Sequence, residues 1–415
     1  MHSLSLMIIT YMKKPIRKVT YKLKPSNSQE ESLMNLFIHH HQLYNWALRD
    51  RIQTYRNFNY GLNFSEQCKI NTLWRHNRKA HGIFNANAQS EQVTLKRVAL
   101  AFDGFFRRLN KGGVNAGFPR FKSFQRFKGW GYKSHGDGWK LHLKEKKHGA
   151  VYLADVGVVK IRGKARNADG KPKTAEIIRK NGEWFISVSM EYEAIERKCG
   201  TKAIGVDWGV DYYFSIIDHD GHFEQVKNPR YLKRSKELLT SLQRDLALAK
   251  KGTRVHRKLK HQVAKLHQKI TRQRLDFTHK QTAKLVEVAA LIATEKLSVK
   301  NMTRSAKGTA EKHGKNVKQK AGLNREILNT APAMTLNLLS YKAAEAGSEY
   351  VEIPTKQVKP SQTCPDCGAK KKKTLAERWH SCSCGCHKPR DVASAQVNLN
   401  WALGIQAGNP PKKVA

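Results

Sequence analysis

Acidic residues are scarce in this sequence. Only 33 Asp and Glu stand against 77 Lys and Arg among its 415 residues, which gives a formal net charge of +44 at pH 7. A chain with this excess repels itself unless a polyanion binds it, so ordinary metabolic enzymes are disfavoured and a nucleic acid is the expected partner. Proline is also scarce, at 12 residues, while 40% of the residues are hydrophobic. This composition excludes a disordered basic tail and places the charge on folded domains.

Long apolar runs are missing as well. No stretch approaches the roughly 20 residues that a transmembrane helix needs, so no membrane partner is expected. The N-terminus has a brief apolar run, Leu4 to Ile9, but no Lys or Arg precedes it. It matches a signal peptide poorly, which favours a cytoplasmic protein. Met12, followed by two lysines, is the expected start of the fold, with Met1 as the alternative.

Isolated cysteines are few, because only Cys68 and Cys199 lie outside a cluster between residues 364 and 386. Clustered cysteines in a large basic chain favour a metal site over a disulfide framework. Two close pairs separated by residues 368–381 predict a structural zinc ribbon. The second pair encloses one residue, so Cys386, His380 and His387 remain alternative ligands. The two pairs are Cys364 with Cys367 and Cys382 with Cys384.

Hydrophobic spacing divides the first half of the chain into a helical and a β-rich part. Apolar residues recur at helical spacing from Ser28 to about Tyr55 and from Ala88 to Leu109, which predicts an α-helical block over residues 28–110. The turn at residues 180–182 then predicts a hairpin. A small antiparallel barrel or sheet is expected, completed by a strand at residues 17–23. Its other predicted strands are 151–153, 158–161, 175–179 and 184–191.

Three acidic residues stand out in the second half of the chain. Asp207 and Glu295 each end a short apolar run typical of a buried strand, and Asp391 begins a helix that runs to Leu403. One such acid is more often a turn or cap residue. The elements around the three, however, follow the order of an RNase H-type fold: strand, hairpin, helices, strand, helix, strand, helix. Converging carboxylates are what two-metal nucleases need, because hard divalent ions prefer oxygen ligands.

Basic residues are concentrated between residues 233 and 284, which hold 16 Lys and Arg and three acids. Apolar residues at helical spacing predict two helices here, divided at residues 250–252. Because few acids are available for local pairing, contact with phosphates is favoured over a merely solvated helix face. Residues 303–325 are rich in Lys and Gly and are expected to be mobile.

These motifs together resemble the TnpB family, the OrfB-type proteins of small insertion sequences, which are related to compact type V CRISPR effectors. A RuvC-like trio of acids, interrupted by a zinc ribbon before the third acid, is highly specific. The resemblance covers nearly the whole chain. Its nuclease motifs are Gly205–Gly209, Glu295–Lys300 and Arg390-Asp391 with Ala395 and Asn398, and its N-terminal motifs are Tyr21–Pro25, Tyr44–Leu48, Phe105-Phe106 and Gly117–Lys122.

The resemblance implies an RNA-guided DNA endonuclease of a prokaryotic transposon, active in the cytoplasm at the nucleoid. A guide RNA from the transposon end would pair with double-stranded target DNA, while the protein reads a short adjacent motif. Asp207, Glu295 and Asp391 would be the catalytic residues and would hold two Mg²⁺ ions. One structural Zn²⁺ would be bound by Cys364, Cys367, Cys382 and Cys384.

One departure from the family affects the zinc ligands. The family usually has two residues between its third and fourth cysteines, whereas Cys382 and Cys384 enclose one. Cys384 keeps the usual distance to Arg390-Asp391 and is the implied fourth ligand. The third ligand is less firmly assigned, and Cys386 is a possible replacement.

The implied fold is multidomain α/β: a RuvC-like (RNase H-type) nuclease with an embedded zinc ribbon, a helical recognition lobe and a small β-barrel wedge domain. The pattern of elements gives similar boundaries. The expected domains are an N-terminal extension (1–14), the wedge-like β-barrel (15–24 and 115–195), the recognition lobe (25–114), the nuclease (200–357 and 389–403), the ribbon (358–388) and a tail (404–415).

Three other functions compete with this one. A compact type V CRISPR effector would use the same chemistry with a guide from another source, and the sequence does not separate the two. A guide-directed DNA-binding protein without cleavage is disfavoured because all three acids are present. A transposase that transfers strands is disfavoured because no separate helix-turn-helix is apparent.

Overall fold

The computed structural model describes residues 16–112, 116–144, 147–162, 170–192, 199–309, 311–374 and 376–405. The predicted N-terminal extension, the choice between Met1 and Met12, and most of the predicted tail lie outside these residues. The fold is mixed α/β, as predicted. The chain divides into two compact units, Met1–Ala194 and Ile195–Ala415. The finer domain boundaries remain predictions.

The first unit consists of three helices and an antiparallel sheet. Helix α1 begins where Ser26 and Gln29 form a reciprocal capping box, with each side chain accepting the backbone N–H of the other residue. The second helix lies inside the predicted helical block, but the spacing of apolar residues did not predict its bounds. The elements are β1 (Ile16–Lys24), α1 (Asn27–Phe58), α2 (Phe64–Ala80), α3 (Ala88–Leu109), β2 (Gly129–Tyr132), β3 (Trp139–Lys144), β4 (Lys147–Leu153), β5 (Gly157–Arg162), β6 (Lys171–Lys180) and β7 (Glu183–Glu191).

The sheet of the first unit has seven strands in the order β2-β6-β7-β1-β5-β4-β3. The predicted hairpin is confirmed, because β6 and β7 pair across Asn181 and Gly182, which both have positive φ. The predicted N-terminal strand is also confirmed, since β1 pairs with β5 and β7. Among the described residues no pairing joins the end strands β2 and β3. The barrel therefore remains a prediction, and the structure shows a sheet.

The second unit is built on a mixed five-stranded sheet. Its predicted strands, hairpin and divided basic helices are all present. Among the described residues, no helix combines the length and apolar character of a bilayer span. The elements are β8 (Lys202–Trp208), β9 (Tyr212–Asp218), β10 (Phe223–Lys227), α4 (Tyr231–Arg234), α5 (Lys236–Leu248), α6 (Arg254–Val288), β11 (Ala289–Glu295), α7 (Val299–Met302), α8 (Val317–Thr330), α9 (Pro332–Ala346), β12 (Glu349–Ile353), α10 (Thr355–Val358), β13 (Trp379–Ser381), β14 (His387–Pro389) and α11 (Arg390–Ala402).

The sheet of the second unit has the order β10-β9-β8-β11-β12. The first three strands are antiparallel, while β11 runs parallel to both β8 and β12. The prediction that residues 303–325 are mobile is wrong for its last third, because α8 begins at Val317. This helix buries Ile327 in the same core as Leu339 of α9.

Candidate functional site

Asp207 and Glu295 lie side by side at the ends of two neighbouring strands. Strands β8 and β11 are parallel, and Thr294 of β11 pairs with Val206 of β8. The next residue of each strand is the acid, so both carboxylates leave the sheet at the same edge. The short apolar runs before them are the buried parts of these strands, with Ile204 and Ile292 in the core.

Helix α11 lies directly across β8 because Gly205 has no side chain. A Cβ atom at Gly205 would lie 2.0 Å from the backbone oxygen of Ala395. The buried amide of Asn398 donates to the backbone oxygen of Val206 at 3.0 Å and ties the helix to the strand. The close approach brings the first turn of α11, which carries Asp391, toward the two strand ends.

Ser394 lies beside Asp207 and Glu295, although no sequence motif identified it as a site residue. Its hydroxyl lies 3.4 Å from Oδ1 of Asp207 and 3.5 Å from Oε1 of Glu295, and its residue is only 2% exposed. Ser394 is three residues after Asp391 and therefore lies on the same face of α11. This helical spacing is the signal that could have found it, since a residue one turn after Asp391 must face the same site.

Burial and neighbouring charges shift the pKa values of Asp207 and Glu295. Burial raises the pKa of Asp207 well above its ordinary value, and the charges of Glu295 and Asp391 raise it further. Burial also raises the pKa of Glu295 to about 6. The hydrogen bond from Ser394 lowers the pKa of both groups, but it does not compensate for burial. A cation among the carboxylates would remove this penalty, so the site is built to receive positive charge.

The donor set fits hard divalent ions. It consists of carboxylate oxygens on elements fixed by the core, the ligand type that Mg²⁺ prefers. Among the described residues the trio does not form a set whose ligating atoms all lie within 4.8 Å of one another. A two-ion site does not require this, because ligands spread around two ions about 3.5–4 Å apart need not all lie close to one another. Arg390, whose Nε lies 3.5 Å from Asp391, supplies the nearby positive charge.

The cysteine cluster forms a second candidate metal centre. The structure brings together the four sulfurs expected from the sequence, and all lie within 4.8 Å of one another. Cys364 and Cys384 are 3.6 Å apart, and Cys367 and Cys382 are 3.5 Å apart. The backbone N–H of Cys384 is the main group that lowers the pKa of Cys382, to about 6. Four sulfurs at this spacing can bind one metal ion in a closed tetrahedral shell.

The alternative ligands form a second set that also includes Cys364. Its sulfur also lies within 4.8 Å of the ligating atoms of His380 and Cys386, and all three residues are buried. Neither ring nitrogen of His380 has a hydrogen-bond partner within the part of the chain that the structure describes. His387 is placed elsewhere, because its ring stacks on Trp379 and its Nδ1 bonds Ser381. The structure thus offers a set of four and a set of three that share Cys364.

Helix α6 presents a strongly basic face. Seven of its Lys and Arg side chains are exposed and have no salt-bridge partner among the described residues. The acid Asp276 pairs instead with Lys280 of the same helix at 2.8 Å. An exposed row of unpaired cations suits a polyanion. The seven residues are Arg254, Arg257, Lys258, Lys260, Lys265, Lys269 and Arg272.

Three family models match separate parts of the chain. Residues 186–306 match a family described as a probable transposase of the OrfB type, and residues 333–398 match a Cas12f1-like TNB domain. Residues 12–59 match a family described as a helix-turn-helix domain. The expected absence of a helix-turn-helix disagrees with that name. In the structure, however, residues 16–59 form strand β1 and the single continuous helix α1.

Two curated proteins are similar over almost the whole chain. A candidate RNA-guided DNA endonuclease, InsQ, from Escherichia coli (strain K12) is 26% identical over 396 residues, which cover 95% of this chain and 92% of that protein. A candidate RNA-guided DNA endonuclease from Streptomyces pristinaespiralis is also 26% identical over 396 residues, covering 94% of this chain and 90% of that protein.

A solved structure supports the fold. The Cas12f1 chain of a cryo-EM structure of a Cas12f1–sgRNA–target DNA complex has a TM-score of 0.52 and 12% identity, and the match covers 93% of this chain and 99% of that chain. At this identity the likeness concerns the fold alone. The family models and the curated proteins confirm the resemblance to the TnpB family that the motifs indicate.

Proposed function

We propose that this chain is the RNA-guided DNA endonuclease of a transposon, and that it cuts double-stranded target DNA next to a short adjacent motif. The observation that carries this proposal is the meeting of Asp207 and Glu295 at the buried hydroxyl of Ser394, beside Asp391. The names of the two curated proteins that align over nearly the whole chain point to the same activity.

The three acids are the proposed catalytic residues of a RuvC-like site. They would hold two Mg²⁺ ions, which supply a nucleophilic water and stabilise the leaving oxygen of an in-line displacement. The protein's own contribution is orientation. Strands β8 and β11 fix two carboxylates, α11 fixes the third, and Ser394 donates to the first two. The raised pKa values keep the empty site partly protonated, so a bound cation must displace protons.

The guide RNA and the target DNA are the proposed polyanions that balance a formal charge of +44. The basic face of α6 is one proposed phosphate-binding surface, because its seven cations are exposed and unpaired among the described residues. In this proposal the helices within residues 25–114 form a recognition lobe, and the strands within 15–24 and 115–195 form a wedge. Base pairing would provide the sequence specificity.

The cysteine cluster is the proposed site of one structural Zn²⁺. The set of Cys364, Cys367, Cys382 and Cys384 is favoured because four sulfurs complete a tetrahedral shell, whereas the set with His380 supplies three ligands. A closed shell leaves no position for substrate, so this ion would stabilise the ribbon rather than take part in cleavage.

A compact type V CRISPR effector is the second candidate function. The Cas12f1-like match over residues 333–398 favours it specifically. The chemistry would be the same and the guide would come from a repeat array. The DNA that neighbours the gene separates the two candidates, because it shows either a repeat array or a transposon end.

The decisive experiment is to sequence the RNA that co-purifies with the protein and to test the complex on a plasmid library with a randomised sequence beside the guide-matched target. We expect one dominant RNA species and Mg²⁺-dependent cleavage of the plasmids that share a short motif. A matched reaction with chelator, and one with a non-matching guide, are the controls. Two results would contradict the proposal. One is cleavage that does not depend on the guide sequence, and the other is a stable complex that does not cleave DNA when Mg²⁺ is present.

A further inference from the structure

A cavity of about 470 Å³ opens beside Asp391. This volume is within the range of pockets that bind small molecules. Its wall is formed partly by the β9–β10 region of the sheet and partly by the ribbon hairpin β13–β14. It therefore adjoins the proposed catalytic site without including Asp207 or Glu295. Its charged and aromatic lining residues are Asp211, Tyr212, Lys227, Arg230, Arg378 and Trp379, together with Asp391.

Two arginines are held in this cavity by one acid. Nη2 of Arg378 lies 2.9 Å from Oδ2 of Asp211, and Nη2 of Arg230 contacts the other oxygen of the same carboxylate. The acid orients both guanidinium groups, and their further N–H groups are available for other acceptors. The exposed Lys227 adds a third positive charge to the wall. Guanidinium groups that are fixed in this way suit phosphate oxygens.

The backbone around Arg230 is held in an uncommon conformation. Its φ is 50°, in the left-handed region that residues other than glycine seldom adopt. Asn228 stabilises this turn, because its Oδ1 accepts the backbone N–H of Arg230 at 3.0 Å and its Nδ2 donates to Val210 at 2.7 Å. Local strain of this kind concentrates at functional sites, where it aims a side chain.

Trp379 provides an aromatic surface beside these cations. It is 56% exposed, although it is a large apolar residue, and one ring face stacks on His387 with 4.9 Å between centroids and 10° between planes. The pairing of Trp379 with Pro389 places it next to the start of α11 and thus near Asp391. Aromatic rings combined with cations are how proteins bind single-stranded nucleic acid without reading its sequence.

We propose that this cavity binds one nucleotide of a DNA strand next to the bond that is cut. Trp379 stacks on the base, while Arg230 and Arg378 contact its phosphates. The site positions the strand, and it shares only Asp391 with the proposed ion-binding acids. This inference rests on the proposed endonuclease function and names the subsite that presents its substrate.

The first test measures binding without cleavage. Protein carrying Asp207→Asn is titrated with an oligothymidylate of eight nucleotides while its tryptophan fluorescence is followed. Stacking on Trp379 should quench part of the signal, and Trp379→Phe should remove that part while keeping the affinity. Trp379→Ala should weaken binding about 5-fold to 100-fold. Trp401→Ala is the matched control, because Trp401 is 45% exposed and does not line the cavity.

The second test measures cleavage of a guide-matched double-stranded target at saturating complex. Trp379→Ala should slow single-turnover cleavage about tenfold and leave target affinity unchanged, because pairing with the guide dominates binding. Trp379→Phe should restore the rate. Arg378→Gln should weaken oligonucleotide binding and reduce its salt slope by about one. Metal content and melting temperature are measured for each variant to show that the ribbon is intact.

The outcomes separate this inference from the proposed function. If Trp379→Ala and Trp401→Ala behave alike in both tests while Asp207→Asn abolishes cleavage, the subsite is refuted and the endonuclease stands. If the protein with intact acids cuts nothing, the endonuclease is refuted, and the fluorescence test still decides whether the cavity binds DNA. If Trp379→Ala loses the metal of the ribbon, its result does not count. The variants Trp379→Phe and Arg378→Gln then decide whether the cavity binds the DNA strand.

Discussion

The two candidate metal centres of the second unit are built in opposite ways. The acids lie on strands and a helix that the core holds in place, and Ser394 beside them is buried. The cysteines lie mostly outside regular elements, and Cys384 is exposed. Without a cation, burial and the charges of Glu295 and Asp391 raise the pKa of Asp207, so the fold must hold these acids together. The rest of the fold does not have to hold the thiols together, because a bound metal ion would itself fix the loops that carry them.

Stability and function conflict at the acids but not at the cysteines. At the acids the fold works against electrostatic repulsion in order to be ready for an ion, so removing a ligand should harm cleavage and help stability. At the cysteines, metal binding and the local fold depend on each other. Removing one cysteine ligand should therefore weaken both metal binding and stability.

The largest expected effect belongs to Asp207→Asn. We expect cleavage to fall at least about 100-fold, because the change removes a charged ligand between two others. The melting temperature of the metal-free protein should rise, because a partly buried carboxylate that Glu295 and Asp391 repel is gone. Cleavage assays and calorimetry with chelator measure the two effects. Asp245→Asn, on exposed α5, is the control. A variant that cuts at the wild-type rate would show that Asp207 is not catalytic.

Gly205→Val tests whether the core holds the acids together. Its side chain would collide with the backbone of Ala395, which cannot move without the whole helix. We expect a loss of about 3 kcal/mol in the free energy of unfolding and a strong loss of cleavage. Gly322→Ala is the control, because a Cβ atom there meets nothing within 4 Å. Wild-type stability in denaturant titrations of Gly205→Val would mean that α11 does not pack closely on β8.

Two cysteine variants test the other centre. Cys364→Ser should abolish the binding of one zinc ion per chain and lower the melting temperature, because Cys364 belongs to both ligand sets. Cys386→Ser should retain the metal if the set of four sulfurs binds it. Elemental analysis and thermal scans provide the readouts, with Cys199→Ser as control. Full zinc content in Cys364→Ser would refute the ribbon, and loss of zinc in Cys386→Ser would assign the set with His380 instead.

Ser394→Ala should reduce cleavage about 10-fold to 100-fold, the usual effect of losing a group that orients metal ligands. Its hydroxyl lowers the pKa of Asp207 and of Glu295, so its removal raises both. The acid limb of the pH–rate profile should therefore move to higher pH. Ser394→Thr, which keeps the hydroxyl, should restore the profile in part. An unshifted profile in Ser394→Ala would mean that the hydroxyl only fills space.

The smallest expected effect is a pH dependence of stability. Glu295 has a pKa of about 6 in the folded protein against an ordinary value of 4.5. Its protonated form is favoured by folding, so this stabilisation is complete below pH 4.5 and is lost as the pH rises to about 6. In metal-free protein, the difference between wild type and Glu295→Gln should change by about 2 kcal/mol over this interval. A constant difference would show that burial does not raise the pKa of Glu295.

Much of the second unit could be predicted because its signals are local. Short apolar runs before Asp207 and Glu295 mark strands that end at one sheet edge, and the cysteine spacing marks the ribbon. Ser394 was missed because a serine inside a helix has no pattern of its own. Helix α2 lies inside the predicted helical block, but its bounds were not predicted, because it buries the polar residues Gln67 and Asn71 and so lacks a clear apolar periodicity. Hydrogen bonds to Ala47 and Glu91 stabilise these two buried side chains.

The junction between the β13–β14 hairpin and helix α11 contains no linker. Strand β14 ends at Pro389 and α11 begins at Arg390, so no linker residue separates them. Inserted residues should therefore be accepted more readily in the irregular stretch before Arg378. A single residue inserted after Pro389 would turn α11 by about 100° about its axis and carry Asp391 away from its partners. Length variation among natural relatives and engineered fusions should thus be found before the hairpin and not after it.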